Sequence, residues 1–190
     1  MPDIEKDQKD AARRAHLLLQ KDPATWCIFD CETTDLHGVV CEIGVIAPDG
    51  TTLFQSLINP ECEVSEGARA KHGITDEELR NAPILPDIWE DLWKVLEGRD
   101  FIVTYNAGFD YARITQSASR YKLPMPSNPK QKWGCAMALY AQFAGEWSAW
   151  HSSYKWQPLG GNHRAIGDCL ACLEKIKEMA AEFREEARNA

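Results

Sequence analysis

Trp26-Cys27-Ile28-Phe29-Asp30-Cys31-Glu32-Thr33-Thr34 is an apolar run of strand composition that gives way to two carboxylates where the strand runs out. Strand side chains alternate between faces, so Asp30 and Glu32 point to one side and can meet the same hard cation. Asp-x-Glu alone is weak evidence, because charged residues at strand ends are mostly solvated. Its surroundings give it weight. Val39 to Ala47 reads as a second strand, Pro48-Asp49-Gly50 as a turn and Thr51 to Ile58 as a third strand, together a meander. Upstream, residues 1–22 mix charges with Leu17-Leu18-Leu19 and stop at Asp22-Pro23, which predicts an N-terminal helical extension before a main domain over 23–190.

Beyond the meander come two short helical pieces around His72-Gly73-Ile74-Thr75, with Thr75 and Glu78 spaced as a capping box. Leu85, Ile88, Trp89, Leu92, Trp93 and Leu96 recur at three and four, an amphipathic helix ending at Gly98. Phe101 to Tyr105 then reads as a strand, 109–121 as a helix, 124–129 as a proline-rich loop and 133–146 as a helix. Ile166, Leu170, Leu173, Ile176, Met179 and Phe183 form one stripe of a long closing helix. This order predicts an α/β fold, a sheet with helices packed on its faces.

At 190 residues, with 44% hydrophobic and 26% charged, the chain has the size and composition of one globular domain. No stretch approaches the roughly 18 apolar residues of a membrane span. The charged N-terminus is no signal peptide, so a cytoplasmic protein with no membrane partner is expected. A net charge of −8 repels phosphate polymers and excludes tight binding along nucleic acid by counterion release. Any nucleic-acid function must therefore be locally organised. The seven cysteines are odd in number and sit mostly in apolar runs, which predicts reduced thiols. Cys169 and Cys172 are the one close pair and are expected to fill core.

Two further segments join the acidic strand end. Asn106-Ala107-Gly108-Phe109-Asp110 follows the fourth predicted strand and puts a carboxylate in the first turn of a helix, where the N-terminal dipole favours an anion. In His163-Arg164-Ala165-Ile166-Gly167-Asp168, five residues turn a helix by about 140°, so His163 and Asp168 cannot share one helical face. His163 must precede the helix or lie in its first turn, free to fold over a site that Asp168 lines. Carboxylate-rich sites without cysteine suit Mg²⁺ or Mn²⁺, and two such ions about 4 Å apart clamp an in-line phosphoryl displacement. A histidine supplies the base for the attacking water.

Asp30-x-Glu32-Thr33-Thr34, Asn106-x-x-Phe109-Asp110 and His163-x4-Asp168, in this order, resemble the three motifs of the DEDDh 3′-to-5′ exonucleases, the family of the bacterial proofreading subunit. Ile58-Asn59-Pro60 and His72-Gly73-Ile74-Thr75 resemble its intermotif segment. The resemblance spans about residues 24–183 and implies a ribonuclease-H-like fold, a five-stranded mixed sheet with flanking helices. It implies two ions, Mg²⁺ or Mn²⁺: Asp30 touches both, Glu32 and Asp168 complete the first shell, Asp110 holds the second, and His163 is the general base. Thr33 and Leu36 correspond to positions that meet the terminal nucleotide through backbone amides and an apolar wedge, with Phe109 packed beside it. Asn106, His72 and Arg164 join them as substrate-binding candidates. The implied substrate is nucleic acid with a free 3′ end, DNA or RNA, and a polymerase or other replication or repair protein is an open partner.

Two departures stand out. Asp35 replaces the glycine that the family favours before Leu36, which places a further negative charge near the incoming phosphate. Only Gly160-Gly161-Asn162 separates Trp156-Gln157-Pro158-Leu159 from His163, where relatives carry an additional helix, so a more open rim is expected. Trp147, Trp150, His151, Tyr154 and Trp156 form an aromatic cluster that could stack bases; packing of the 133–146 helix onto the sheet is the expectation, since Trp and Tyr bury large areas. Among Lys122, Lys130, Lys132 and Arg164, only Arg164 is expected at a phosphate. A catalytically silent nucleic-acid-binding or scaffold protein and an RNA-trimming exoribonuclease are the alternatives. Loss of catalysis shows as a lost ligand, and all five candidate positions are filled.

Overall fold

The computed structural model describes residues 1–125 and 131–189. A leading helix, α1 (Ile4–Leu19), is followed by the meander β1 (Trp26–Thr33), β2 (Val40–Ile46) and β3 (Thr52–Leu57). Helices α2 (Glu66–His72), α3 (Asp76–Arg80) and α4 (Leu85–Leu96) lead to β4 (Phe101–Thr104), and α5 (Ala107–Arg120) to β5 (Lys132–Cys135). The chain continues through α6 (Ala136–Ala144), a hairpin of β6 (Trp147–Ser148) and β7 (Ser153–Tyr154), and the long α7 (Ala165–Asn189). Five strands form one mixed sheet in the order β3-β2-β1-β4-β5. The meander pairs antiparallel, whereas β4 pairs parallel with β1 and β5, which requires the helical crossovers. This is the ribonuclease-H-like architecture expected.

Alternation sorts β1 between two cores. Cys27, Phe29 and Cys31 pack with Leu92 and Trp93 of α4 and Ile114 of α5. Trp26 and Ile28 pack on the opposite side with Leu173, Ile176 and Met179 of α7. Each large side chain buried in this way contributes roughly 1.5–3 kcal/mol. Asp30 and Glu32 continue the α7 face, so the carboxylates emerge where that apolar face runs out, beside the start of α7. The Thr75–Glu78 capping box is present, with Glu78 accepting the Thr75 N–H at 2.8 Å and Thr75 Oγ1 accepting the Glu78 N–H at 3.3 Å.

Helix α1 is fastened to the sheet domain. Its Ala11, Ala12 and Ala15 are buried, and Gln8 Nε2 donates to the Phe143 carbonyl at 2.9 Å while Tyr154 Oη donates to Asp7 at 2.7 Å. All seven cysteines are unpaired thiols, with Cys169 and Cys172 buried in the α7 core. No helix among the described residues is long and apolar enough to cross a membrane.

Two expectations are corrected. The stretch 133–146 is not one helix: Lys132 to Cys135 form the edge strand β5, paired with Phe101 to Thr104, before α6 begins. Four residues carry too little periodicity to announce a strand, and only the partner edge makes them one. The aromatic cluster is not core. Trp147 and Tyr154 meet edge-to-face across the hairpin at 5.2 Å, but Trp150 is 90% and Trp156 72% exposed, because a two-stranded ribbon has no second layer to cover them. Most of the predicted loop 124–129, and Lys130, lie outside the described residues.

Candidate active site

At the carboxyl end of β1 the sheet opens into a cleft of about 680 Å³, lined by Asp30, Glu32, Asp110, His163 and Asp168 together with Leu36 and Phe109. Ligand atoms of Glu32, His163 and Asp168 lie within 4.8 Å of one another, a spacing at which one ion can be shared. Asp110 sits in the first turn of α5, buried, and its Oδ1 accepts the Cys31 N–H at 3.2 Å and the Cys31 thiol at 3.4 Å. Helix α5 is thereby tied to β1 between the two strand-end carboxylates.

Asp168 is delivered by the start of α7, which lies against β2. A Cβ on Gly44 would come within 2.8 Å of the Ala165 and Ile166 backbone, so only glycine admits this approach. Gly44 pairs with Asp30 and Glu42 with Glu32 across the β1–β2 ladder, which puts the α7 start directly over the acidic face. Glu42 is buried and accepts Arg164 Nε at 3.1 Å, Arg164 Nη2 at 2.8 Å and the Ala165 N–H at 2.9 Å. The preceding loop bends over Asp168: His163 takes a left-handed φ of 55°, and its N–H donates to Asp168 Oδ1 at 3.0 Å. Gly161 passes so close to this carboxylate that any Cβ there would collide with it. The His163 ring remains mostly exposed, with Nδ1 3.9 Å from Asp168 Oδ2.

Brought together and buried, these carboxylates disfavour one another's charge. Burial, then the charges of Asp110, Glu32 and Asp168, push Asp30 well above the usual carboxylate range. Burial and the neighbouring Asp168 raise Glu32 to about 8, and burial raises Asp110 to about 7 against the hydrogen bonds it accepts. Asp168 is raised by burial, opposed by the His163 backbone N–H. A set of hard oxygen donors that resists ionising without a cation is the donor chemistry that Mg²⁺ or Mn²⁺ fits.

The profile of the RNase T exonuclease family matches residues 27–175 of this chain, from β1 into α7. The chain belongs to this exonuclease family. The uncharacterized exonuclease CP81 of Escherichia phage 186 is 32% identical over 169 residues, covering 80% of this chain and 86% of the phage protein. The PolC-type DNA polymerase III of Oceanobacillus iheyensis is 32% identical over 111 residues, 55% of this chain but 8% of that much longer protein. Among solved structures, Exonuclease X in complex with 5′ overhanging duplex DNA matches with a TM-score of 0.55 at 27% identity, covering 83% of this chain and 93% of that one. Exonucleases of this type act on nucleic acid and generally use divalent metal ions.

The substrate-side candidates of the exonuclease separate into two groups. Leu36 is 66% exposed and lines the cleft together with Phe109 and Asn106, and the Asn106 side chain makes no capping hydrogen bond to α5. The other candidates are held by bonds within the protein, although Thr33 and His72 also line the cleft. His72 is buried; its Nδ1 accepts the Ile74 N–H at 3.0 Å, so Nε2 carries the proton and donates to the Thr33 carbonyl at 3.2 Å. Both ring nitrogens are occupied, and His72 acts by holding the Thr33-Thr34 turn, aided by the Ser65 N–H on the Thr34 carbonyl at 2.8 Å. Thr33 itself donates to the Asp35 carbonyl at 2.7 Å, and the Asp35 carboxylate takes the Leu36 N–H at 2.6 Å. Those bonds close the turn without a glycine at 35. Arg164, expected at a phosphate, is engaged by Glu42 instead.

Two residues escaped the sequence reading. Glu42 was signalled by being a lone charge in the apolar strand Val40–Ile46, all of whose residues are buried. Lys71 lines the cleft from α2, and only the helix position beside His72 could have pointed to it.

Proposed function

We propose that this exonuclease removes nucleoside 5′-monophosphates from single-stranded or frayed 3′ ends of DNA by two-metal-ion hydrolysis with Mg²⁺ or Mn²⁺. The observation that carries the reading is the convergence of Asp30, Glu32, Asp110 and Asp168 with the exposed imidazole of His163 in one cleft. Asp30, Glu32 and Asp168 would hold one ion and Asp30 with Asp110 the other, supplying positive charge at the scissile phosphate and a more acidic attacking water. His163 takes the proton of that water, and its exposure lets it pass the proton to solvent. The water oxygen bonds to phosphorus, the bond to the 3′ oxygen of the preceding nucleotide breaks, and that oxygen is protonated by solvent. Leu36 and Phe109 hold the terminal base, with the Asn106 amide beside it.

That Exonuclease X was captured on DNA supports DNA as the polymer, and the PolC relationship supports a replication or repair setting with a polymerase or similar partner. Seven unpaired thiols support a reducing, cytoplasmic location. A 5′-labelled oligodeoxynucleotide incubated with Mg²⁺ should shorten stepwise from its 3′ end, releasing mononucleotides, and EDTA should stop it. Intact substrate in Mg²⁺ and Mn²⁺ would overturn the reading.

A further inference from the structure

Two tryptophans are left unused by the site described above. Trp150 is 90% and Trp156 72% exposed, whereas Trp26, Trp89 and Trp93 are buried and Trp133 and Trp147 half-buried. Leaving an indole in water forgoes the large apolar burial that this side chain offers. The ribbon that carries them is pinned at several points. Trp147 meets Tyr154 edge-to-face, Tyr154 is tied to Asp7, and the Lys155 N–H donates to the Glu146 carbonyl at 2.8 Å. Tyr105 Oη then holds the Gln157 carbonyl at 2.5 Å, and Gln157, Pro158 and Leu159 form one wall of the cleft. Trp156 therefore directly precedes the segment that walls the active site, and Trp150 stands in the hairpin turn of the same ribbon.

This continuity identifies the occupant. A nucleic-acid end that reaches the carboxylates must carry its upstream nucleotides over the rim, and this rim offers indole faces with little free charge: Lys155 is paired with Glu146 at 3.7 Å. Aromatic faces bind unpaired bases of any sequence, while a paired duplex hides its base faces. We infer that Trp156 and Trp150 form a stacking track for unpaired bases upstream of the scissile end, through which this enzyme selects single-stranded 3′ tails. The inference rests on the exonuclease reading and adds a binding surface outside the cleft.

The test compares kcat/KM on a dinucleotide and on an oligothymidylate of about 12 nucleotides, with thymidine 5′-p-nitrophenyl phosphate reporting the metal-site chemistry alone. In the wild type kcat/KM should rise with length. In Trp150→Ala/Trp156→Ala the long-to-short ratio should collapse, with KM for the long oligonucleotide up about ten-fold or more and kcat little affected. Trp150→Phe/Trp156→Phe, which keeps flat rings, should recover most of the ratio. An unchanged length dependence in the double alanine variant would overturn the track and leave the indoles to a protein partner. A wild type that cleaves neither oligonucleotide nor ester in Mg²⁺ or in Mn²⁺ would overturn the proposed function, and the track with it.

Discussion

Glu42, buried on β2, grips Arg164 through two hydrogen bonds of 3.1 and 2.8 Å, one residue after His163 and one before α7 begins. The pair joins the acidic sheet face to the segment that carries His163 and Asp168. Its Ala165 hydrogen bond also caps α7, with the carboxylate at the positive end of the helix dipole. Geometry of the site thus depends on an ion pair that itself touches no substrate.

Removing Arg164 should expose that dependence. Arg164→Met leaves Glu42 as a buried, unpaired charge, which costs about 3 kcal/mol, the low end for such a loss because the arginine side chain is 40% exposed. Urea unfolding should show the loss, together with a fall in kcat. An unchanged unfolding midpoint would show that the pair contributes nothing to the fold.

Asp30→Ala, Glu32→Ala, Asp110→Ala and Asp168→Ala should each lose most turnover and keep the fold. Removing one of several mutually repelling carboxylates relieves charge repulsion, so metal-free Asp30→Ala and Glu32→Ala should melt no lower than the metal-free wild type, whereas Asp110→Ala and Asp168→Ala also give up the hydrogen bonds from Cys31 and from the His163 N–H. Equal activity of Asp110→Ala and wild type at saturating Mg²⁺ would refute the assignment.

His163→Ala should lose about 10²- to 10⁴-fold in rate, the range for a general base, while binding metal with near-normal affinity. Titration calorimetry with Mn²⁺ separates the roles: a variant that no longer binds the ion would make His163 a ligand.

Stability without metal should fall as pH rises. Glu32 and Asp110 bind protons more tightly folded than unfolded, with folded values of about 8 and about 7, so their contribution is complete below the unfolded carboxylate range, near pH 4, and is lost as pH passes through 7 to 8. With roughly 1.4 kcal/mol per pH unit for each group and roughly 2–4 °C per kcal/mol at this chain length, the metal-free Tm should drop by on the order of 10 °C between pH 5.5 and 8. Saturating Mg²⁺ should restore most at the alkaline end. A metal-free Tm that climbs over this interval would contradict the raised carboxylates.

Binding should depend weakly on salt. A chain of net charge −8 that presents Lys71 at its cleft cannot displace many counterions, so single-stranded and 3′-overhanging DNA should outcompete blunt duplex with a shallow slope. Lys71→Ala should raise KM a few-fold and reduce the slope by about one ion. A slope near six ions combined with a preference for blunt ends would be inconsistent with this site.

Local rules made much of the protein readable from its residues. The alternation that pairs Asp30 with Glu32, the spacing that caps α3 with Thr75 and Glu78, and the 3.6-residue stripe of α4 all act within a few positions, so they survive in one dimension. The spacing of His163 and Asp168 already required the histidine to precede the helix or lie in its first turn, and it stands two residues before α7. Other features have no local cause. Lys132 to Cys135 become a strand because β4 offers a free edge, and Arg164 turns from phosphate to Glu42 because β2 and α7 meet at Gly44. Trp150 and Trp156 stay in water because the hairpin has no layer above it. Each of these is settled by whether a segment far away along the chain comes to pack there, and a contact between distant segments exists only once the sheet has brought them together.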